Sequence, residues 1–493
     1  MKWFHAIGIC GKTTSNVALM FKRLGWFVTG SDTQYFPPAS DLLKKNLIPT
    51  VEGYSYKHLT KQFWMDHLSN IGNYDLFKEK IENISLYPDL CLIVESASNK
   101  NKEYLFAKSK GIKVLPFSQI LSEYLIKDES VVVVGSAGKT TTTSLIVFAL
   151  QKLKLDPSYM IGGECINIQD SLKLTHSNYS VVEGDEFYNE ELAKGPKFME
   201  YKPKYLVITN IGWEHQDIYP TRESYLHVFQ HLVSIVDKNG FIVALENKTI
   251  KNVLVKAKVP VFFYSLKKKQ SNYFVRVKKD NKGLISLVFN DLEDEISFEV
   301  SSFSLIGEYN YLNYLALYVL IKKLNIFGNR NNLVDFFKDV LAEFKGVRKR
   351  LEILKKDKNL IVIDDFGIAP SRIKNSIKTI KNFFTGYKIV VIFEPNSGSR
   401  IKNDTLLKNM YDKVFDGTKM IIIPTLSGNE DLLTGKDLSN FLNSMGYNSK
   451  YVETEFILNE VQNFLKGSKD KFVILVASSY RLTELAQNLA KLQ

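Results

Sequence analysis

Short apolar runs alternate along the chain with segments whose composition is typical of helices. The predicted strands are residues 3–9, 26–30, 90–95, 113–116, 131–134, 179–182, 205–209, 360–363, 388–393, 420–423 and 472–476. The predicted helices include a segment that ends at residue 24 and the segments 145–150, 311–323 and 371–384. Because strands that alternate with helices form parallel sheets covered by helices, this pattern predicts an α/β fold.

Breaks in this alternation predict three domains. The first covers residues 1–127, the second residues 128–344 and the third residues 345–493. Within the second domain, residues 272–300 alternate apolar and polar positions around a turn, which predicts antiparallel hairpins. A chain of 493 residues is also too long for a single hydrophobic core, so several domains are expected.

The stretch 131–144 carries the clearest chemical signal. Four valines predict a buried strand, and Gly135 and Gly138 then form a tight loop before a helix. The loop glycines and the helix N-terminus would present backbone N–H groups to a phosphate. Lys139 can reach the terminal phosphates of a nucleotide, and the Thr140 hydroxyl can bind Mg²⁺. Only two residues separate the glycines, where the usual P-loop has four, so a plain strand-to-helix turn with a solvated lysine is the alternative.

A second loop near the N-terminus has the same glycine spacing, again followed by Lys-Thr. Gly8 and Gly11 flank the end of the first predicted strand, and Lys12 follows them. By sequence alone, either loop could bind ATP. Ser31 and Asp32 come at the end of the second strand, where an acidic residue commonly contacts a ribose hydroxyl. A dinucleotide site is the weaker interpretation, because the full glycine fingerprint is absent.

Acidic residues and one histidine follow two further strands. Residues 183–186 contain three carboxylates, and residues 214–217 contain His215 with two acidic residues. Carboxylates suit Mg²⁺, and His215 could bind a metal or act in acid–base chemistry. Because ligands bind at the carboxyl ends of parallel strands, the two clusters together indicate a site. An arginine in the basic segment 348–350 could reach a γ-phosphate.

The overall composition is that of an ordinary globular protein, with 45% hydrophobic and 24% charged residues. No apolar run is long enough to cross a membrane and the first residues do not form a signal peptide, so we expect a cytoplasmic protein. The cysteines are scattered, which predicts neither a metal site nor a disulfide. The net charge of +12 permits nucleic-acid binding, but the lysines are dispersed, and we favour a solvated surface.

In their order and spacing, the motifs of this chain are similar to those of the ATP-dependent Mur ligases. The motifs are residues 8–11, 30–32, 35–40, 135–142, 183–186, 197–203, 210–218, 364–366 and 394–397. Over nearly its whole length the chain resembles the branch that contains UDP-N-acetylmuramate–L-alanine ligase and the murein peptide ligase, and it resembles the latter more closely. The resemblance implies a Rossmann-like domain for a UDP-sugar, a central P-loop-type ATPase domain and a Rossmann-like C-terminal domain for an amine.

The resemblance also implies a reaction. A muramoyl carboxylate would attack the γ-phosphoryl group of ATP, and an amine would then displace phosphate from the acyl phosphate to form an amide. The implied substrates are UDP-N-acetylmuramate and either L-alanine or L-alanyl-γ-D-glutamyl-meso-diaminopimelate, with Mg²⁺ as cofactor. We expect domain closure around the substrates, a monomer or weak homodimer, and no nucleic-acid or membrane partner.

The residue roles that follow from the resemblance divide among three ligands. ATP would be bound by Gly135, Ser136, Gly138, Lys139, Thr140, Thr141, Asn310, Arg350 and Asp365. Mg²⁺ would be held by Thr140, Glu183 and His215. The UDP-sugar would be bound by Gly8, Gly11, Ser31, Asp32 and Ser96. The catalytic residues would be Lys139, Glu183, His215 and Arg350.

Several positions depart from the family pattern. They are Ala137 and Tyr309 in place of histidines, Ile368-Ala369 in place of a His pair, and Asn396 in place of an arginine. The last two lie in the third domain, so the identity of the amine substrate stays open. Arg400 could replace the lost guanidinium as a clamp for a carboxylate of the amine substrate.

Three other functions are alternatives to this one. A ligase of the same fold could use another acceptor, as a polyglutamylating enzyme does. A catalytically degenerate, nucleotide-regulated binding protein would not need the intact set of Lys139, Glu183 and His215. A nucleic-acid-binding ATPase rests only on the net charge and predicts a steep salt dependence of DNA binding.

Overall fold

The computed structural model describes residues 1–94, 100–187, 195–213, 218–267, 271–280, 284–428, 430–479 and 481–492, and for Lys12 it describes the backbone only. The chain divides into two compact units. Unit 1 comprises Met1–Ser302 and Leu312–Phe344, and unit 2 comprises Phe303–Tyr311 and Lys345–Gln493. Each unit is described by itself below.

The N-terminal part of unit 1 is a parallel sheet with helices between its strands. The strands are β1 (Trp3–Ile7), β2 (Phe27–Asp32), β3 (Thr50–Glu52), β4 (Leu90–Ile93) and β5 (Lys113–Pro116). The helices are α1 (Lys12–Arg23), α2 (Ala39–Lys45), α3 (Lys61–Asn70), α4 (Tyr74–Glu82), α5 (Lys102–Ser109) and α6 (Phe117–Ile120). The strand order is β3-β2-β1-β4-β5, and every pair is parallel. All residues of the central strand β1 are buried, as expected for a parallel sheet covered on both faces.

The rest of unit 1 is built on a larger sheet. Its strands are β6 (Glu129–Val134), β7 (Ser158–Met160), β8 (Leu172–Lys173), β9 (Tyr179–Glu183), β10 (Tyr205–Ile208), β11 (Phe241–Leu245), β12 (Val261–Ser265), β13 (Tyr273–Lys279), β14 (Ile285–Asp291) and β15 (Ile296–Val300). Its helices are α7 (Lys139–Lys152), α8 (Arg222–Ser234), α9 (Lys248–Leu254), α10 (Glu308–Lys323, whose first turn belongs to unit 2) and α11 (Arg330–Glu343). The strand order is β15-β14-β13-β12-β11-β10-β6-β9-β7-β8. The antiparallel pairs β13–β14 and β14–β15 confirm the predicted hairpins.

Unit 2 contains a third sheet. Its strands are β16 (Glu352–Lys356), β17 (Leu360–Asp365), β18 (Tyr387–Phe393), β19 (Met420–Ile423), β20 (Ser449–Tyr451) and β21 (Lys471–Ala477). Its helices are α12 (Pro370–Phe383), α13 (Asp404–Tyr411), α14 (Gly435–Ser444), α15 (Ile457–Leu465) and α16 (Thr483–Ala490). The order is β16-β17-β21-β18-β19-β20, and only the edge strand β16 is antiparallel to its neighbour in this sheet.

The predicted α/β fold is confirmed, and every strand predicted from the sequence is present. Strands that the pattern missed include β3, β8 and β20, which have two or three residues and lie at sheet edges. So few residues cannot carry a recognisable periodicity. In the part of the chain that the structure describes, no helix has both the length and the apolar character that a membrane span requires.

Candidate functional site

The phosphate loop connects β6 to α7, where the sequence predicts it. Gly135 has φ 135° and Gly138 has φ 86°, a region of backbone conformation that favours glycine. A Cβ on Gly135 would lie 2.4 Å from the carbonyl oxygen of Asn210, so no other residue fits there without a shift of the backbone. Gly138 is also the N-cap of α7, and it has no side chain to occupy the N–H groups of the first turn. These donors therefore face the position where a phosphate would bind.

Ser136 fixes the loop to the segment that follows β10. Its backbone N–H donates to the carbonyl oxygen of Asn210 at 2.9 Å, and its hydroxyl oxygen accepts from the N–H of Gly212 at 2.8 Å. The hydroxyl of Thr209 donates to the carbonyl oxygen of Ala137 at 2.6 Å. The loop is thus held at both of its central residues, so its conformation is set before any ligand arrives.

Lys139, the first residue of α7, is held by a buried carboxylate. Its Nζ lies 2.8 Å from Oε2 of Glu186, whose side chain is fully buried. The other oxygen of Glu186 accepts a hydrogen bond from the Tyr225 hydroxyl at 3.2 Å. Burial would lower the pKa of the lysine, but the carboxylates of Glu186, Glu183 and Asp185 outweigh burial and raise that pKa above its usual value. The lysine is therefore a cation at neutral pH.

Glu183 lies at the end of β9, beside the loop. Its Oε1 accepts a hydrogen bond from the Thr140 hydroxyl at 3.0 Å, and its Oε2 accepts one from the N–H of Gly162 at 2.8 Å. Carboxylate and hydroxyl oxygens are the donors that Mg²⁺ prefers, so this pair has the chemistry for part of a coordination shell. Among the described residues, no group of three or more His, Cys, Asp and Glu side chains could hold a metal. His215 lies outside those residues.

A cavity of about 510 Å³ opens at the carboxyl ends of the first sheet, and Gly8, Gly11 and Asp32 contribute to its lining. Gly8 has φ 84°, and a Cβ there would lie 2.5 Å from a methyl group of Val94. One carboxylate oxygen of Asp32 accepts a hydrogen bond from the backbone N–H of Cys10 at 2.8 Å, which ties β2 to the glycine loop. The cavity is therefore bounded by a loop that requires glycine and by an acidic strand end.

In unit 2, the carboxylate of Asp365 accepts hydrogen bonds from the backbone next to Arg350 and from a side chain of α12. Its Oδ1 accepts a hydrogen bond from the N–H of Leu351 at 3.0 Å, and its Oδ2 accepts one from the Ser376 hydroxyl at 2.7 Å. The Arg350 guanidinium lies 5.3 Å from the centre of the Phe366 ring, within range of a cation–π contact. Asp365 therefore holds the backbone next to Arg350, and Phe366 packs against the Arg350 guanidinium.

Two neighbouring residues at the start of α10 differ in exposure. Asn310 is buried, and its amide nitrogen donates to the carbonyl oxygen of Ile306 at 2.8 Å. The Tyr309 side chain is 38% exposed, and burial together with the Asp365 carboxylate raises the pKa of its hydroxyl above the usual value, against the opposing charge of Arg350. The aromatic ring, more than the amide, is therefore available at the surface of unit 2.

Unit 2 also contains a cavity, with a volume of about 170 Å³, and its lining includes two arginines and Glu394. Arg400 is 5% exposed, and its guanidinium donates to the carbonyl oxygens of Leu433, at 3.1 Å, and Ser427. The side chain of Arg481 is about half exposed and lies 3.2 Å from Oε1 of Glu394. Arg400 thus anchors surrounding backbone, whereas Arg481 presents a cation to solvent.

Comparison with protein families identifies the chain. The profile described as "Mur ligase family, catalytic domain" matches residues 4–128, and the profile "Mur ligase middle domain" matches residues 133–321. The chain belongs to the Mur ligase family. The resemblance of the motifs to those of the Mur ligases is therefore confirmed.

Similarity to individual Mur ligases extends over most of the chain. The chain is 26% identical over 475 residues to a UDP-N-acetylmuramate–L-alanine ligase from Pelagibacter ubique, and the alignment covers 94% of this chain and 93% of that protein. It is 24% identical to a UDP-N-acetylmuramate–L-alanyl-γ-D-glutamyl-meso-2,6-diaminoheptandioate ligase from Haemophilus influenzae, covering 81% of each. The crystal structure of UDP-N-acetylmuramate–alanine ligase from Thermotoga maritima has the same fold, with a TM-score of 0.71, 20% identity, and coverage of 100% of this chain and 99% of that one.

Within this Mur ligase, the residues predicted to bind ATP and Mg²⁺ that the structure describes fall into two groups. In unit 1 the structure brings Lys139, Thr140 and Glu183 together around the phosphate loop. In unit 2 it brings Arg350, Asp365 and Tyr309 together. Ser96 and His215 lie outside the described residues. The side chains of Ser31, Asp365 and Arg400 make hydrogen bonds within the protein, so each also has a structural role.

Three charged residues of this Mur ligase have roles that their sequence context does not indicate. Glu186 belongs to a recognised acidic cluster, but nothing in the sequence distinguishes the carboxylate that binds Lys139 from its neighbours. Arg481 lies far in sequence from Glu394 and Arg400, with which it shares a cavity, and it belongs to no motif. Glu103 is an isolated glutamate in a helix, and only the structure shows that it is buried.

Proposed function

We propose that this Mur ligase joins the carboxylate of UDP-N-acetylmuramate to the amine of L-alanine or of L-alanyl-γ-D-glutamyl-meso-diaminopimelate, coupled to cleavage of ATP. The observation that carries the proposal is the glycine loop with Lys139 held by Glu186 and with Thr140 paired to Glu183. The names of the relatives supply the substrates. We further propose that the protein acts in the cytoplasm and needs neither nucleic acid nor a membrane.

The first chemical step brings two anions together, because the muramoyl carboxylate attacks the γ-phosphoryl group of ATP. Lys139 reduces their repulsion, and Glu186 keeps its ammonium group beside the loop. The N–H groups of the loop and of α7 bind phosphate oxygens. Thr140 and Glu183 would hold Mg²⁺, which supplies further positive charge to the phosphates when bound. An amine then attacks the acyl phosphate, and phosphate leaves as the amide forms.

The proposed residues of unit 2 act on the nucleotide and on the amine. Arg350 would contact the γ-phosphate and Asp365 the ribose or phosphate end of ATP. Asn310 and the exposed ring of Tyr309 would contact adenine. Support for these roles comes from the packing of Arg350 against Phe366 and from the hydrogen bonds that fix Asp365.

Phosphate release tests the proposed function. The purified protein is incubated with ATP, Mg²⁺ and UDP-N-acetylmuramate, and L-alanine or the tripeptide is added separately. Release with alanine alone would assign the first step of stem-peptide synthesis, and release with the tripeptide alone would assign recycling. If a folded protein that binds ATP released phosphate with neither amine, the acceptor would be different or catalysis absent, and the proposed function would be wrong.

Glu183→Gln should reduce phosphate release about a hundredfold at low Mg²⁺ concentration. An amide lacks the negative charge of the carboxylate that we propose as a Mg²⁺ ligand, so the apparent Mg²⁺ constant should rise. A Mg²⁺ titration of initial rates checks both effects. The matched control is Glu129→Gln at the other end of the same sheet, where the carboxylate pairs with Lys204. An unchanged Mg²⁺ dependence in Glu183→Gln would remove this residue from the proposed metal site.

Arg481→Ala should raise the KM for the amine about tenfold while leaving the KM for ATP unchanged. Its half-exposed guanidinium can pair with a substrate carboxylate, and a charged hydrogen bond of this kind accounts for such a factor. Arg400→Ala should instead lower the melting temperature, because it removes donors to two backbone carbonyls. Steady-state kinetics and thermal unfolding separate the two arginines. If Arg400→Ala alone raised the KM for the amine, Arg400 would be the carboxylate clamp.

A further inference from the structure

Glu103 is a fully buried glutamate beside the first sheet. Its carboxylate accepts several hydrogen bonds. The Ser31 hydroxyl donates to its Oε2 at 2.5 Å. Its Oε1 lies 2.6 Å from Nδ1 of His58 and accepts from the N–H of Ser55 at 3.2 Å. Nε2 of His5 lies 3.7 Å from Oε2. A carboxylate with this many partners connects segments that are far apart in sequence.

Two partners of Glu103 are next in sequence to residues that line the 510 Å³ cavity. Ser31 precedes Asp32, Ser55 follows Tyr54, and both Asp32 and Tyr54 line the cavity. Glu103 itself is in the first turn of α5, whose N-cap Asn101 also lines the cavity. The carboxylate thus connects the segments of Ser31 and Ser55, both of which contribute to the cavity wall, to the start of α5.

Ser31 extends this connection to the glycine loop. Its carbonyl oxygen accepts hydrogen bonds from the N–H groups of Gly8, at 2.8 Å, and Ile9, at 3.0 Å. The same residue therefore binds Glu103 through its side chain and the loop through its backbone. A shift of the Glu103 carboxylate would be transmitted to Gly8 as well as to the acidic end of β2.

We infer that Glu103 is a positioning residue, which sets the geometry of the N-terminal cavity for a nucleoside diphosphate sugar without contacting it. The inference rests on the proposed function for the identity of the ligand. A buried carboxylate can hold donors from several segments at fixed distances, because both of its oxygens accept hydrogen bonds and bonds to a charged group are strong. The cavity then has its bound shape before the ligand arrives.

The charge of Glu103 is maintained by its surroundings. Burial would raise its pKa, but the interactions with His5, His58 and Ser31 outweigh burial and lower the pKa to about 2. The carboxylate is therefore ionised at any pH at which the protein would be assayed. Replacing it by an amide removes the charge and also places an NH₂ group against donors.

The inference is tested with Glu103→Gln and Ser31→Ala in the full chain, using binding of UDP-N-acetylmuramate measured by calorimetry. Glu103→Gln should raise the Kd roughly ten- to a hundredfold, since it removes the negative charge and one of the two oxygens that accept hydrogen bonds. Ser31→Ala should raise it about fivefold, because one of these bonds is lost. In both variants the KM for UDP-N-acetylmuramate should rise, while kcat and the KM for ATP stay within about twofold.

Ser130→Ala is the matched control for Ser31→Ala. Ser130 is a buried serine on β6, in the same unit, and its hydroxyl oxygen accepts a hydrogen bond from the backbone N–H of Lys204 at 3.0 Å. It belongs to the larger sheet and does not line the cavity, so loss of its hydroxyl should lower the melting temperature without changing the Kd. The comparison separates positioning from a general loss of stability.

Each outcome decides the inference. An unchanged Kd in Glu103→Gln, an equal rise in Ser130→Ala, or a parallel rise of the KM for ATP would overturn it. If Glu103→Gln does not fold, Ser31→Ala against Ser130→Ala decides alone, and equal Kd values in that pair would refute the positioning role. Failure of the proposed function has a different signature, because the unaltered protein would then not bind UDP-N-acetylmuramate.

Discussion

Lys139→Met should lower the rate of phosphate release roughly a thousandfold, while the protein stays folded. The variant loses the ammonium group that reduces repulsion between the carboxylate and the γ-phosphate, and such groups in a preorganised site account for factors of this size. Methionine preserves most of the length of the side chain, but the fully buried carboxylate of Glu186 loses its cation, so the variant should also be less stable than the unaltered protein. Initial rates at saturating ATP, with circular dichroism for folding, give the result.

The control for this variant is Lys152→Met at the other end of α7. Its ammonium group lies 2.7 Å from Glu343, so the variant also removes a lysine of the same helix together with an ion pair. We expect no more than a twofold change in rate, because Lys152 lies at the C-terminus of the helix, away from the loop. Retention of more than a tenth of the activity in Lys139→Met would show that this lysine does not act on the transferred phosphate.

Lys349→Met is expected to destabilise unit 2 by about 3–5 kcal/mol at pH 8. Lys349 is 3% exposed, and its Nζ lies 2.9 and 3.2 Å from the two carboxylate oxygens of Asp364. The variant leaves that carboxylate buried without its cation, which is the costly case for a buried ion pair. Lys349 also has φ 56°, so the pair holds a strained backbone next to Arg350. Denaturant unfolding measures the loss.

The loss caused by Lys349→Met should shrink as the pH falls. Even with Lys349 present, burial outweighs its charge and raises the pKa of Asp364 to about 6. The folded protein therefore binds the proton more tightly than the unfolded chain does, so this group favours folding below about pH 4 and its contribution is lost as the pH rises to about 6. Without the lysine, the pKa rises further and the loss extends to higher pH.

A surface pair provides the control for Lys349→Met. Lys388 pairs with Asp470, and both side chains are more than two-fifths exposed. Lys388→Met should cost no more than about 1 kcal/mol, with little dependence on pH, because solvent screens such pairs. If the two variants lost the same stability, or if the loss in Lys349→Met did not vary between pH 5 and pH 8, the buried pair would not have the role assigned to it.

The local motifs were read from sequence because their physical basis is local. A strand, two glycines, a lysine and a helix are contiguous, so the phosphate loop and Lys139 follow from neighbouring residues alone. The edge strands β3 and β8 were not predicted, because two or three residues show no periodicity. The exposure of a polar side chain could not be predicted from the sequence either. Ser31 is an example, because its burial depends on residues that are far away in the chain.

The sequence by itself determined the α/β class, the hairpins of 272–300, the phosphate loop and the family, because each depends on periodicity or on motifs a few residues long. Tertiary structure decided which charges meet. Glu186 binds Lys139 across 47 residues, and Ser31 reaches Glu103 across 72. Arg481, rather than Arg400, presents its guanidinium to solvent in their shared cavity. Pairings over such separations depend on how the strands are ordered in a sheet, and no local pattern encodes that order.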